Sequence, residues 1–129
     1  MSKFRDAIER RDIEAAVALL AEDVGFRSPV VFNEYRGRSE VAPLIHAVAE
    51  LFKDFRYVRE SWAADGRAET LQFEARAGTR RIEGCDLVTW DEHGSISELV
   101  VLVRPLSGLI ALAEGMQAVM GGTSRPGSP

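Results

Sequence analysis

An α+β fold, with a strongly curved antiparallel sheet wrapped around N-terminal helices and a further helix at the C-terminus, is predicted by three observations. Apolar residues recur at helical spacing over residues 4–21 and again over 39–52. Strand-like runs then follow one another, separated by short turns rich in Asp and Gly. Pro105 ends the last of these runs, and residues 106–120 return to a helical pattern.

Each element follows from its residues. Phe4, Ile8, Ile13, Ala16, Val17 and Leu20 share a face between Phe4 and Ala21, and Asp12 is placed to cap a second helix after a break at Arg11-Asp12. Val24 to Ser28 reads as a short strand stopped by Pro29, which lacks the ladder donor. Pro29 to Arg38 reads as a loop or irregular edge. Ser39 is expected to cap the next helix, which has Pro43 in its early part and Val41, Leu44, Ile45, Val48, Leu51 and Phe52 on one face. Strands are expected at Phe55–Ala64, Arg67–Ala77, Arg80–Trp90 and Ser95–Arg104. Asp65-Gly66, Gly78-Thr79 and the Asp91–Gly94 turn join them into an antiparallel meander. Leu106 to Met120 reads as a helix, and Gly121 to Pro129 as a disordered tail after a single domain at residues 1–120.

Composition bounds the function. A chain of 129 residues holds one domain with a real core and not two. The net charge of −4 argues against nucleic acid or an anionic membrane as the main partner. The single cysteine cannot form an internal disulfide, no stretch is long enough to span a bilayer, and the N-terminus lacks the apolar run of a signal peptide. A cytoplasmic protein is therefore expected.

Asp86 stands out because a carboxylate is poorly suited to the middle of the run Ile82 to Trp90. The hairpin turns predict that Asp86 faces Leu71 on one side and Leu99 on the other, with Gly84, Val88, Trp90, Phe73, Val101 and Val103 on the same face. In so apolar a patch, desolvation raises a carboxyl pKa. Two readings stand: a pocket acid that exchanges protons with a bound carbonyl compound, or a carboxylate paired with an arginine such as Arg27 or hydrated near a sheet end. Phe26, Phe73, Trp90, Leu99 and Val101 are expected as pocket wall, with Ser28, Glu60, Leu71 and Val88 as further ligand contacts.

Other reactive side chains have plainer readings beside the functional ones. Glu60 lies opposite Leu71, in one row with Asp86, and reads as a second acid or a solvated edge residue. His46 reads as a base reaching the pocket or a half-exposed structural histidine, and His93 as a solvent-facing loop residue. Neither histidine has a spacing that suggests a metal site. Ser28 is a ligand contact or a turn residue before Pro29, and Cys85 points away from Asp86 as a small hydrophobe. Cys85, Leu87, Val100, Leu102 and Ile96 share the opposite face, which is expected to be covered by a second subunit in a homodimer.

The order of elements resembles the nuclear transport factor 2-like superfamily, which includes SnoaL-like polyketide cyclases and ketosteroid isomerase. The resemblance runs from about Phe4 to Pro105 and is carried by Asp12-Ile13-Glu14-Ala15-Ala16, Leu19-Leu20-Ala21-Glu22-Asp23, Ser28-Pro29-Val30, Arg36-Gly37-Arg38 and Asp86 to Gly94. It implies a cystatin-like cone with an apolar pocket, and it places Asp86 where ketosteroid isomerase has a protonated aspartic acid that donates to a developing oxyanion. The general-base aspartate of that enzyme falls at Ser28 and its oxyanion tyrosine at Phe4, so isomerisation by that route lacks two of its groups. A limonene-epoxide-hydrolase-like arrangement lacks its acid on Leu99-Val100-Val101-Leu102-Val103. The expectation is a SnoaL-like enzyme acting without cofactor or metal on a hydrophobic carbonyl-bearing or polycyclic molecule, with Asp86 catalytic. A non-catalytic ligand-binding or dimeric interaction module of the same fold is the alternative.

Overall fold

Ser2 opens the described part of the chain, residues 2–120 of a computed structural model, by capping the first helix: its side chain accepts from the Arg5 N–H. The tail expected at Gly121–Pro129 lies outside the described residues. The elements run α1 (Lys3–Glu9), α2 (Ile13–Ala18), β1 (Leu20–Arg27), β2 (Tyr35–Arg36), α3 (Arg38–Leu51), β3 (Phe52–Trp62), β4 (Ala68–Ala77), β5 (Arg80–Trp90), β6 (Ile96–Arg104) and α4 (Leu106–Val119). Asp12 caps α2 through Ala15 N–H, and the break before it is the left-handed turn at Arg11 (φ 59°).

The strands form one curved sheet in the order β2-β1-β6-β5-β4-β3. The antiparallel meander from β3 to β6 is as expected, but β1 lies parallel to β6, with Phe26 beside Leu99 and Arg27 beside Val100. A parallel neighbour needs a long crossover, and α3 with the first three meander strands supplies it. β1 begins at Leu20 rather than Val24, because Leu20 pairs with Ile96 and is fully buried. The loop expected over Pro29–Arg38 contains the short β2, which pairs antiparallel to β1. Gly37, not Ser39, caps α3: its φ of 99° is open to glycine alone, its N–H bonds Val24 O at 2.7 Å, and its carbonyl accepts from Glu40 and Val41.

Register decides which side chains face inward. Asp86 faces Leu71, as expected, but its partner on β6 is Val101, not Leu99, which pairs with Val88. The Asp91–Gly94 turn is closed by the Asp91 N–H to Ser95 O bond and followed by an irregularity between Thr89 and Trp90. The displacement is even, so Leu99, Val101 and Val103 keep the face expected for them. Ile96 does not: it pairs with Trp90 and is buried in the core instead of lying on the outer face.

A bulge in β3 between Tyr57 and Arg59 has the opposite parity. Tyr57 pairs with Phe73 while Arg59 pairs with Gln72, so Tyr57 turns inward and Val58 outward, 40% exposed. The core fills the concave side with Leu20, Val24, Leu71, Phe73, Val88 and Leu99, and α4 packs across β4, β5, β6 and α3. No helix among the described residues is long and apolar enough to cross a membrane.

Phe73 passes so close beneath Gly84 that no side chain fits there. A Cβ at Gly84 would lie 2.1 Å from Leu102 O and 2.8 Å from Phe73 Cζ. A backbone oxygen cannot swing aside, so Gly84→Ala is expected to lower stability by about 2 kcal/mol or more, read from urea unfolding. An unchanged midpoint would show that β5 and β6 part more easily than this packing implies.

Candidate functional site

The concave side of the sheet, together with α1 and α3, encloses a cavity of about 560 Å³. Its walls are apolar: Phe4 and Ile8 from α1, Phe26 from β1, Ile45 from α3, Phe55 from β3, and Leu99 and Val101 from β6. Exposed charged residues, among them Glu9, Arg11, Glu50 and Arg56, also line it. Two polar side chains enter from the buried sheet face, Tyr57 and Asp86.

Asp86 is 7% exposed and accepts a hydrogen bond on Oδ2 from the Tyr57 hydroxyl at 2.8 Å. Its other oxygen, Oδ1, has no hydrogen-bond partner among the described residues. Burial pushes the Asp86 pKa up to about 7; the Tyr57 hydrogen bond pulls it down and the nearby Glu69 charge pushes it further up. Tyr57 is itself held well above the ordinary phenol value, by burial first and then by the Asp86 charge. Arg5 stands 5.8 Å over the Tyr57 ring and bonds Glu9 and Glu60, so α1 is latched to the strand that presents the tyrosine.

The other expected site residues divide by position. Phe26, Leu99 and Val101 line the cavity with Asp86. Leu71, Phe73 and Val88 are fully buried behind it, and Phe73 stacks on Phe55 and packs at a tilt against Phe52 without being a lining residue. Trp90 is half-buried, with its indole N–H donating to Glu69. Glu60 is opposite Leu71 as expected, but it bonds Arg5 and the Trp62 indole, which hold its carboxyl below the usual range, and it does not line the cavity. Ser28 is a turn residue whose Oγ accepts from the Val30 and Val31 N–H groups. Arg27 pairs with Glu98, which removes the expected arginine partner from Asp86.

His46 lines the cavity and sits 3.3 Å from Glu14, while His93 is exposed in its turn. Among the described residues no three His, Cys, Asp or Glu side chains converge to hold a metal ion. The wall residues Phe4, Ile8, Ile45 and Phe55 were not expected there, and two buried polar side chains beside Asp86, Tyr57 in the wall and Glu69 behind it, are absent from the sequence reading. Tyr57 escapes because only the bulge turns it inward. Glu69, 2% exposed, was readable: the alternation Glu69-Thr70-Leu71-Gln72-Phe73 puts it on the face of Leu71.

With this geometry in place, residues 1–99 match the family described as the SnoaL-like domain. The chain belongs to the SnoaL-like family. Among solved structures, this SnoaL-like protein is similar to a steroid delta-isomerase from Pseudomonas aeruginosa, at 40% identity and a TM-score of 0.86 over 90% of this chain and 85% of the other. A protein with a cystatin-like fold from Silicibacter pomeroyi is 33% identical, with a TM-score of 0.84 over 90% and 81% of the two chains. An NTF2-like protein of unknown function from Cytophaga hutchinsonii shares the fold at 20% identity, with a TM-score of 0.59 over 80% and 85%. No curated protein matches the SnoaL-like chain.

Proposed function

We propose that this protein is a small-molecule enzyme that performs acid–base chemistry, of isomerase, cyclase or hydrolase type, on a hydrophobic carbonyl-bearing or polycyclic compound. The observation that carries the reading is Asp86: a buried acid with one oxygen held by Tyr57 and the other without a partner among the described residues, at the wall of an apolar cavity. With a pKa of about 7, both protonation states are populated at neutral pH. The neutral acid donates its proton to a carbonyl oxygen; the carboxylate takes a proton from the adjacent carbon and returns it. The chemistry requires no cofactor. Similarity to a protein called a steroid delta-isomerase supports a carbonyl compound as substrate. Phe4 has no hydroxyl and Ser28 spends its own on the turn, so the proton transfer falls to Asp86 with Tyr57.

The test is carbon-bound proton exchange in D2O with a panel of hydrophobic ketones that includes a β,γ-unsaturated steroid ketone. Deuterium uptake beside the carbonyl is expected to exceed the buffer rate. Binding of these ketones without exchange would instead select a ligand-binding module, the reading that the occupied Ser28 hydroxyl favours.

We also propose a homodimer through the outer sheet face, where Leu102 is 50% exposed beside a groove lined by Thr70, Gln72, Cys85 and Arg104. Leu102→Glu is expected to halve the particle mass seen by sedimentation; an unchanged mass would place the interface elsewhere.

A further inference from the structure

The mechanism proposed above leaves one buried charge unused. Glu69 lies on β4 opposite Val88, one diagonal step from Asp86 on the same face of the sheet, and is 2% exposed. Each of its oxygens accepts one hydrogen bond: Oε1 from the Ser2 hydroxyl and Oε2 from the Trp90 indole at 2.7 Å. Ser2, itself 1% exposed, is the cap of α1, and its Oγ accepts from the Arg5 N–H at 3.0 Å while donating to Glu69. α1 carries Phe4, Ile8 and Glu9 into the cavity wall. Burying a carboxylate is costly unless its partners satisfy it, and a core residue of similar size would hold β4 without that cost.

We propose that Glu69 is a positioning residue of the site. It fastens the start of α1, and with it the cavity wall, to the sheet, and it places a fixed negative charge beside Asp86. Burial pushes the Glu69 carboxyl above its ordinary value, and two donors, one on each oxygen, pull it back toward the ionised form. That charge opposes ionisation of Asp86 and keeps its proton available near neutral pH, adding to the effect of burial. The groups facing the pair are Tyr57 and Glu60 from β3, the latter paired with Arg5 of α1, together with Arg5 over the Tyr57 ring and Glu9 of α1; Cys85, next to Asp86 on β5, lies on the outer face. Tyr57 works against Glu69 at Asp86, since its hydrogen bond favours the carboxylate. The acid thus answers to a charge on the adjacent strand, β4, and to a donor that reaches it from β3, two strands away.

The catalytic part of this inference rests on the reading of Asp86 as a proton-transfer group, but its test does not. Charge and tether separate in two conservative variants of the full chain. Glu69→Gln keeps an acceptor for Trp90 and removes the charge; the Asp86 carboxyl midpoint, followed by carbon-13 NMR, is expected to fall by roughly half a unit or more. Glu69→Asp keeps the charge and shortens the reach to Ser2. Asp86 is then expected to titrate as before, while the Arg5 and Asp6 amides at the start of α1 exchange with solvent roughly fivefold faster or more. An Asp86 midpoint unmoved in Glu69→Gln, or α1 amides equally protected in Glu69→Asp, would overturn the proposal. Absence of ketone exchange in the unsubstituted protein would sink the enzyme reading alone and leave both readouts standing.

Discussion

Asp86→Asn is expected to abolish proton exchange on the ketone panel, a loss of about 10²- to 10⁴-fold, the range that a positioned acid–base group contributes. Asparagine fills the same volume and still accepts the Tyr57 hydrogen bond, so the cavity wall and its affinity for an apolar ligand should survive. The useful result is therefore a split: ligand affinity unchanged within about twofold, exchange gone. Full exchange in the asparagine variant would remove Asp86 from the chemistry. Lost binding together with lost exchange would mean that the substitution had disturbed the pocket, and Glu69→Gln would then be the milder probe of the same acid.

The same substitution is expected to make the protein more stable at neutral and alkaline pH. Asp86 titrates near 7 in the folded chain and at 3.8 as a free side chain. Between those values the folded state holds a proton that the unfolded chain has released, so stability falls as pH rises from about 4 to 7 and is level above. About three units at roughly 1.4 kcal/mol each give about 4 kcal/mol, lost in full at pH 8. Asp86→Asn removes this slope. Urea unfolding should find the variant more stable than the parent at pH 8, by up to about 4 kcal/mol, and the two nearly equal near pH 4. Parallel pH–stability curves would show that Asp86 is ionised at little cost in the folded protein, and that its burial is compensated by more than Tyr57.

Much of this architecture is legible in the chain because its signals are periodic. The meander follows from Asp65-Gly66, Gly78-Thr79 and the Asp91–Gly94 turn, and strict alternation then carries Asp86 to Leu71 without knowledge of any contact. What alternation cannot register is a one-residue irregularity. The shift beyond Thr89 moved the partner of Asp86 from Leu99 to Val101 and buried Ile96. Gly37 displaced Ser39 as the cap of α3 because its N–H donates to a carbonyl of another element, Val24 O, which fixes the backbone there. Arg27 reads as a partner for Asp86 only while the parallel pairing of β1 is unknown; that pairing sets it opposite Val100, from where it ion-pairs with Glu98 two residues along β6. Glu69 is a different lesson. Its position was readable, but a glutamate in a strand suggests solvent until Ser2 and Trp90 are seen to meet it.

The bulge at Val58 means that β3 stores chemistry as a phase and not only as residue identity. In unbroken register from the Trp62–Glu69 end, Val58 would face Phe73 and Tyr57 would look outward. Asp86 would then keep its burial and lose the donor that tempers it. Within a lineage, gain or loss of one residue on this strand would exchange a hydroxyl for an aliphatic side chain beside the acid, with every amino acid around it unchanged. Length variation in β3 would therefore retune the protonation of Asp86 in a way that counts of matching residues do not register.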